Sequence, residues 1–199
     1  MGRKSSFNQQ QVLADALDLF WSRGFASSSL KHLETVTDMH PGSLYYHFKN
    51  KEQLYLATLE YYLEWFLQPR INKYLTYTSH PDGLRRFFTS GYRHDQETQF
   101  RNCCFIISAS NELHLLPDKA DQLIQDALVS LHHGFHNYLE QAINNHNMPA
   151  TINAEQVSSE LLNLYLSLQL RARVAPNQRL LDKQVKQSLT YLLPEITDE

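Results

Sequence analysis

The sequence predicts an all-α protein: an N-terminal three-helix helix-turn-helix domain followed by a C-terminal helical bundle, about nine helices in total. Three observations predict this. Apolar residues recur at three- and four-residue spacing almost throughout, no stretch alternates apolar and polar residues between hairpin turns, and the breaks between periodic segments fall at glycines and prolines. The 199 residues are enough for one good core, or for a small head attached to a larger body.

Taken in order, Val12, Leu13, Ala16, Leu17, Phe20 and Trp21 form one stripe. Asn8 with Gln11 gives a capping-box start and Gly24 a stop, so the first helix spans about 9 to 23. Ser27, Ser28 and Ser29 offer caps for a second helix carrying Leu30, Leu33 and Val36, which ends near Thr37 and Asp38. Pro41 starts the third, since a first helical position has no use for the N–H that proline lacks. Asn50 with Gln53 caps a longer fourth helix that Pro69 is expected to end or kink. Further helices are expected at about 82–95, 102–115, 118–146, 153–173 and 177–193, with breaks at His80-Pro81, Leu116-Pro117, Met148-Pro149 and Ala175-Pro176. Residues 1–50 are read as the head and 51–199 as the body.

Composition narrows the function. No apolar run approaches the ~20 residues of a membrane span, and MGRKSSFNQQQ lacks the apolar segment of a secretory signal. A cytoplasmic protein without a membrane partner is expected. Cys103 and Cys104 are adjacent, which disfavours a bridge between them and gives no disulfide framework. The net charge of −3 argues against a broad nucleic-acid coat, yet it is uneven: +1 over residues 1–54 and −4 over the rest. That distribution fits a small, directional nucleic-acid contact.

The segment MHPGSLYYHFKNKEQL sharpens this reading. Two short helices joined by a tight turn and braced by a longer one form the arrangement that presents a recognition helix to a major groove. On the third helix Gly42 permits close backbone approach, Ser43 can reach base edges, and Tyr45, Tyr46 and His47 can donate to phosphates. Lys51 opens the fourth helix, where the helix dipole favours an anion rather than a cation; a bound phosphate resolves the conflict.

Residues 12–54, through ALDLFWSRGF and SSLKHLETVTDMHPGSLYYHFKNKEQL, resemble the DNA-binding head of the TetR (TetR/AcrR) family of one-component bacterial transcriptional regulators. The resemblance is carried by Phe20, Gly24 and Phe25 at the end of the first helix, by Ser29 as the cap of the second, and by Tyr45, Phe48 and Lys51. It implies that Gly42, Ser43 and Tyr46 face the groove of double-stranded operator DNA. It further implies that Ser29, Tyr45, His47 and Lys51 bind phosphates and that Leu33, Leu44 and Phe48 pack the head. Glu34, Asp38 and His40 depart from the usual small residue, glycine and hydroxyl cap; aspartate can adopt a left-handed turn.

For the body, the resemblance implies a homodimer that binds a small-molecule effector, with repression of a palindromic operator as the expected activity. Leu161, Leu164, Tyr165 and Leu168, joined by Leu162 and Leu166, with Leu181, Val185, Leu189 and Leu192, are the expected dimer interface, forming a four-helix bundle between two chains. Tyr62, Trp65, Phe66, Phe88, Tyr92, Cys103 and Phe105 are the expected lining of a pocket for a hydrophobic or aromatic effector, although each also suits a core. If Asn102 caps the sixth helix, Cys103 and Cys104 fall in its first turn beside Arg101, features that lower a thiol pKa. A redox- or electrophile-sensing regulator is thus an alternative, set against the frequent inert burial of cysteine. His132 and His136 have metal-ligand spacing, but no acid or cysteine lies nearby in sequence, and no metal or cofactor is expected.

An enzyme is not expected: no glutamate has a histidine three residues later, and the chain has neither a glycine-rich phosphate loop nor a serine elbow. A helical protein-interaction adaptor is the other alternative. It has no use for a phosphate-facing group around Lys51, and its DNA affinity would not fall with salt.

Overall fold

The computed structural model describes residues 8–76, 82–93 and 99–193, and among them the chain is helical without strands. Helix α1 is Gln9–Arg23, α2 Leu30–Thr37 and α3 Pro41–Phe48. Helix α4 starts at Lys51–Tyr62 and runs on through a π-helical segment, Leu63–Leu67, an α-turn, Gln68–Ile71, and a second π segment, Asn72–Thr76. The body continues with α5 (Asp82–Ser90), α6 (Phe105–Ser110), α7 (Lys119–Asn144), α8 (Ala154–Val174) and α9 (Gln178–Leu192). Short 3₁₀ turns at Gln99–Asn102 and Leu113–Leu115 flank α6.

Local chemistry explains most of the starts. The side chains of Asn8, Ser29, Asn50, Asn153 and Asn177 each accept from a backbone N–H three residues on, and Pro41 occupies the first turn of α3. The reciprocal capping box forms at Ser29 and His32. Asp38 adopts the left-handed conformation, φ 51° and ψ 34°, that turns α2 towards α3.

Several expectations are corrected. Pro69 does not end α4: Gln68 N–H reaches back to the Leu63 carbonyl, a five-residue step, and the widened turn accommodates a ring that an α-turn would exclude. Helix α5 stops at Ser90 rather than 95, and α6 is confined to Phe105–Ser110 within the expected 102–115. Val36 is exposed, and Thr37 takes the inward position at the end of α2. The expected break at His80-Pro81 lies outside the described residues.

In the head, Leu17, Phe20, Leu33, Leu44 and Phe48 pack on Leu54 and Tyr55 of α4. The buried side chains continue along α4 into the body, where Leu75, Phe87, Phe88, Phe135, Tyr138, Leu161, Tyr165 and Leu168 form the centre. Helix α4 therefore belongs to both units, and its first turn lies directly after α3.

Candidate nucleic-acid interface and the body behind it

Helix α3 buries Leu44 and Phe48, which are four residues apart, so its remaining side chains are turned outward. Gly42, Ser43, Tyr45, Tyr46 and His47 are all exposed, Tyr46 by 84 %. The Tyr46 and His47 rings meet edge to face at 5.2 Å. A Cβ placed on Gly42 would meet nothing within 4 Å, so no internal packing demands glycine there. His40 supplies no side-chain cap; its carbonyl accepts from Ser43 and Leu44 instead.

Ser29 is exposed, and its Oγ accepts from the His32 N–H at 3.2 Å, which fixes the hydroxyl at the start of α2. Lys51 is half-buried, with Nζ 4.2 Å above the Phe25 ring. Burial lowers its pKa from the ordinary lysine value, partly opposed by Glu112 and Glu52. The cation is thus held at the N-terminus of α4, one turn beyond the exposed face of α3.

Sequence reasoning missed what fastens this head to the body. The Glu112 carboxylate accepts from the backbone N–H groups of Phe25 at 2.7 Å and Ala26 at 3.2 Å. Gly24, at φ 81°, needs glycine for its backbone, and a Cβ there would also push the Glu112 carboxylate out of these bonds. Trp21 Nε1 donates to the Cys103 carbonyl at 2.6 Å, and Arg101 pairs with Asp18 at 2.6 Å. Only Gly24, read as a helix stop, carried any signal of this junction in the sequence.

The cysteines do not occupy the first turn of a helix. Cys104 is the residue before α6, Cys103 lies outside it, and Arg101 is turned to Asp18. Both thiols are free and buried. Burial pushes the Cys103 pKa up, against the smaller opposing influence of Ser108.

The expected pocket residues fall into separate groups. Tyr62, Phe66 and Phe105 pack around Trp21, with Tyr62 edge-on to it at 5.1 Å, and the Tyr62 hydroxyl lies 3.1 Å from Cys104 Sγ. Phe88 stacks on Phe135 at 5.6 Å beside Phe87 and Tyr165, while the Tyr92 hydroxyl donates to Asp182 on α9. Trp65 stands apart, half exposed in a surface groove of about 290 Å³ with Gln9, Gln10, Glu60 and Glu64.

The expected interface residues face the other way. Leu161, Leu164, Tyr165, Leu168, Leu181, Val185 and Leu189 are buried within the single chain, and Leu192 is half-buried against its core. The apolar side chains that α8 and α9 leave exposed are Leu170, Val174, Leu180 and Tyr191. Leu162 and Leu166 extend the first two into a stripe at four-residue spacing.

The fold brings Glu155 to His132 and His136, at 3.7 and 3.8 Å, an acid that sequence proximity could not supply. His132 Nε2 also meets the hydroxyls of Ser158 and Ser159. No group of three or more His, Cys, Asp or Glu among the described residues is arranged to hold a metal ion, and no described helix is long and apolar enough to cross a membrane.

Comparison with known proteins agrees with this geometry. Residues 12–58 match the model of bacterial regulatory proteins, tetR family, and residues 81–187 match the tetracyclin repressor-like C-terminal domain. The chain is 37% identical over 65 residues to the HTH-type transcriptional repressor ComR of Escherichia coli K12, a match covering 33% of this chain and 31% of ComR. It is 26% identical over 83 residues to IcaR, the negative transcriptional regulator of the biofilm operon icaADBC in Staphylococcus epidermidis, covering 40% of this chain and 42% of IcaR. These matches thus span less than half the length of either relative.

Among solved structures, a cysteine mutant of the TetR family regulator CifR complexed with 26-bp double-strand operator DNA superposes with a TM-score of 0.79 at 20% identity, covering 94% of this chain and 98% of that one. The reduced form of Escherichia coli NemR gives 0.78 at 20% identity, covering 90% and 93%. At such identities the likeness concerns the fold.

Proposed function

We propose that this chain, which belongs to the TetR family of bacterial DNA-binding transcriptional regulators, is a homodimeric repressor of a palindromic operator that a small hydrophobic or aromatic effector releases. The observation that carries the DNA contact is the division of α3: Leu44 and Phe48 anchor it, while Gly42, Ser43, Tyr45, Tyr46 and His47 are presented together on its exposed side. Gly42, Ser43 and Tyr46 face the bases, and Ser29, Tyr45, His47 and Lys51 take the phosphates. The head is residues 1–50 and the effector and dimer unit residues 51–199.

Repression is supported by the roles of ComR and IcaR as a repressor and a negative regulator. The dimer surface is centred on the exposed Leu170, Val174, Leu180 and Tyr191, with the partly buried Leu162 and Leu166 continuing the stripe on α8. The four exposed side chains remain available after the monomer has folded. Release follows if the effector favours a separation of the two heads that does not match the half-site spacing.

Selection of bound fragments from random double-stranded DNA tests the reading. The wild type enriches a palindrome, and Ser43→Ala or Tyr46→Ala changes which bases are preferred at defined positions. Enrichment of no sequence by folded protein contradicts it.

A further inference from the structure

The guanidinium of Arg70, on the α-turn between the two π segments of α4, is placed where a cation has little reason to be. Its Nε is enclosed and has no hydrogen-bond partner, the one such buried side-chain N or O atom among the described residues. None of the ion pairs among those residues includes Arg70. The group lies over the Phe87 ring at 4.3 Å and near the Tyr165 ring at 5.5 Å, and its single hydrogen bond, to the Tyr165 hydroxyl, is long at 3.4 Å. Although burial works to lower it, its pKa lies above the ordinary arginine value, so the charge persists. An enclosed cation without an anion costs stability, and an apolar side chain of similar length would avoid that cost.

The surroundings suit a guest that brings the missing anion. Gly91 presents bare backbone beside the fork: a Cβ there would crowd both Arg70 Nη2 and Gln169 Nε2, at 3.1 Å. The Tyr62 hydroxyl is engaged only with the Cys104 thiol, a weak partner that is readily exchanged. Phe87 and Tyr165, which the guanidinium lies against, pack with Phe88 and Phe135 into one apolar, largely aromatic cluster.

We propose that Arg70 is the anchor for the carboxylate of a monoanionic organic acid, whose apolar body packs on the aromatic cluster, so that the effector of this regulator is an acid rather than a neutral hydrophobe. The inference rests on the effector-responsive reading above and deepens it. A planar guanidinium matches a carboxylate with two parallel hydrogen bonds, and one cation balances one negative charge. Its position on α4 connects the acid to the helix whose first turn carries Lys51. The flanking π segments are where that helix can adjust its register.

The test uses the full chain with Arg70→Met and Arg70→Lys, and benzoate, phenylacetate and octanoate as acids against benzamide as the uncharged control. Ligand-free Arg70→Met is expected to unfold at the wild-type temperature or higher and to bind the same operator, because it removes an uncompensated charge. At least one acid should raise the wild-type melting temperature and weaken its operator complex, with benzamide inactive. The response should fall by about tenfold or more in Arg70→Met and partly survive in Arg70→Lys. A clear fall in the melting temperature of ligand-free Arg70→Met would make Arg70 structural and overturn the proposal. So would a wild type indifferent to all three acids, or equally responsive to benzamide. Loss of operator binding by the ligand-free wild type would instead strike at the regulator reading, while the stability of Arg70→Met would still judge this one.

Discussion

Glu112 and Phe25 are 87 residues apart in the chain, yet the carboxylate of the first accepts the backbone N–H of the second at 2.7 Å. With the second bond to Ala26, this closes the turn between α1 and α2 from outside the head. The turn that leads into α2 is thereby held by a residue of the body. Any movement of the segment containing Cys103, Arg101 and Glu112 is felt at α1 through three separate contacts.

Glu112→Ala leaves two N–H groups without their charged acceptor and is expected to destabilise the chain by about 1–3 kcal/mol. Urea denaturation measures the loss. Operator affinity should fall as well, since the α1–α2 turn that positions α3 is loosened; unchanged stability and affinity would show that water replaces the carboxylate without consequence.

Gly42→Ala separates folding from DNA contact. Nothing within 4 Å opposes the added methyl group, and alanine in place of a helical glycine stabilises by up to about 1 kcal/mol. The variant should therefore melt no lower than the wild type and yet bind the operator more weakly, because the backbone can no longer approach the groove as closely. Fluorescence anisotropy with labelled operator provides the readout, and wild-type affinity would remove Gly42 from the interface.

Cys103 should be a slow thiol. Burial raises its pKa, so little thiolate is present at neutral pH, and reaction with iodoacetamide should be far slower in the native chain than in urea. Because the folded value lies above the unfolded one, the neutral thiol's contribution to stability is full below the ordinary thiol range and is lost as pH rises through the folded value. Rapid native-state alkylation of Cys103, read by mass spectrometry, would restore the thiol-sensing alternative.

The exposed stripe on α8 predicts where a dimer is broken. Leu170→Asp with Val174→Asp places charges on side chains that are 57% and 75% exposed in the single chain, so folding should be little affected. Sedimentation should show monomers where the wild type shows dimers. A dimer that persists would require a different face.

The head was legible because its determinants are local. Asn8, Ser29, Asn50 and Pro41 mark helix starts by chemistry within three residues, and the spacing of Leu44 and Phe48 is enough to tell which side of α3 is free. The body was legible as helices but not as surfaces. Helix α8 is apolar on two sides, and periodicity identifies the stripe of Leu161, Leu164, Tyr165 and Leu168 without saying whether it meets this chain or another. Burial shows that it meets this chain. Nothing near Arg70 or Glu112 in sequence announces their surroundings, because those are assembled from residues 17 to 95 positions away. Pro69 misled for a physical reason, as a π-turn accommodates a proline that an α-turn rejects.

The most direct test of the central claim is the salt dependence of operator affinity for the wild type and Lys51→Ala. A steep wild-type slope of log affinity against log salt is expected. Lys51→Ala should show a slope smaller by about 0.9, one phosphate contact, with similarly weakened binding to every operator variant. Identical slopes in the two proteins, or a wild-type affinity indifferent to salt, would contradict it.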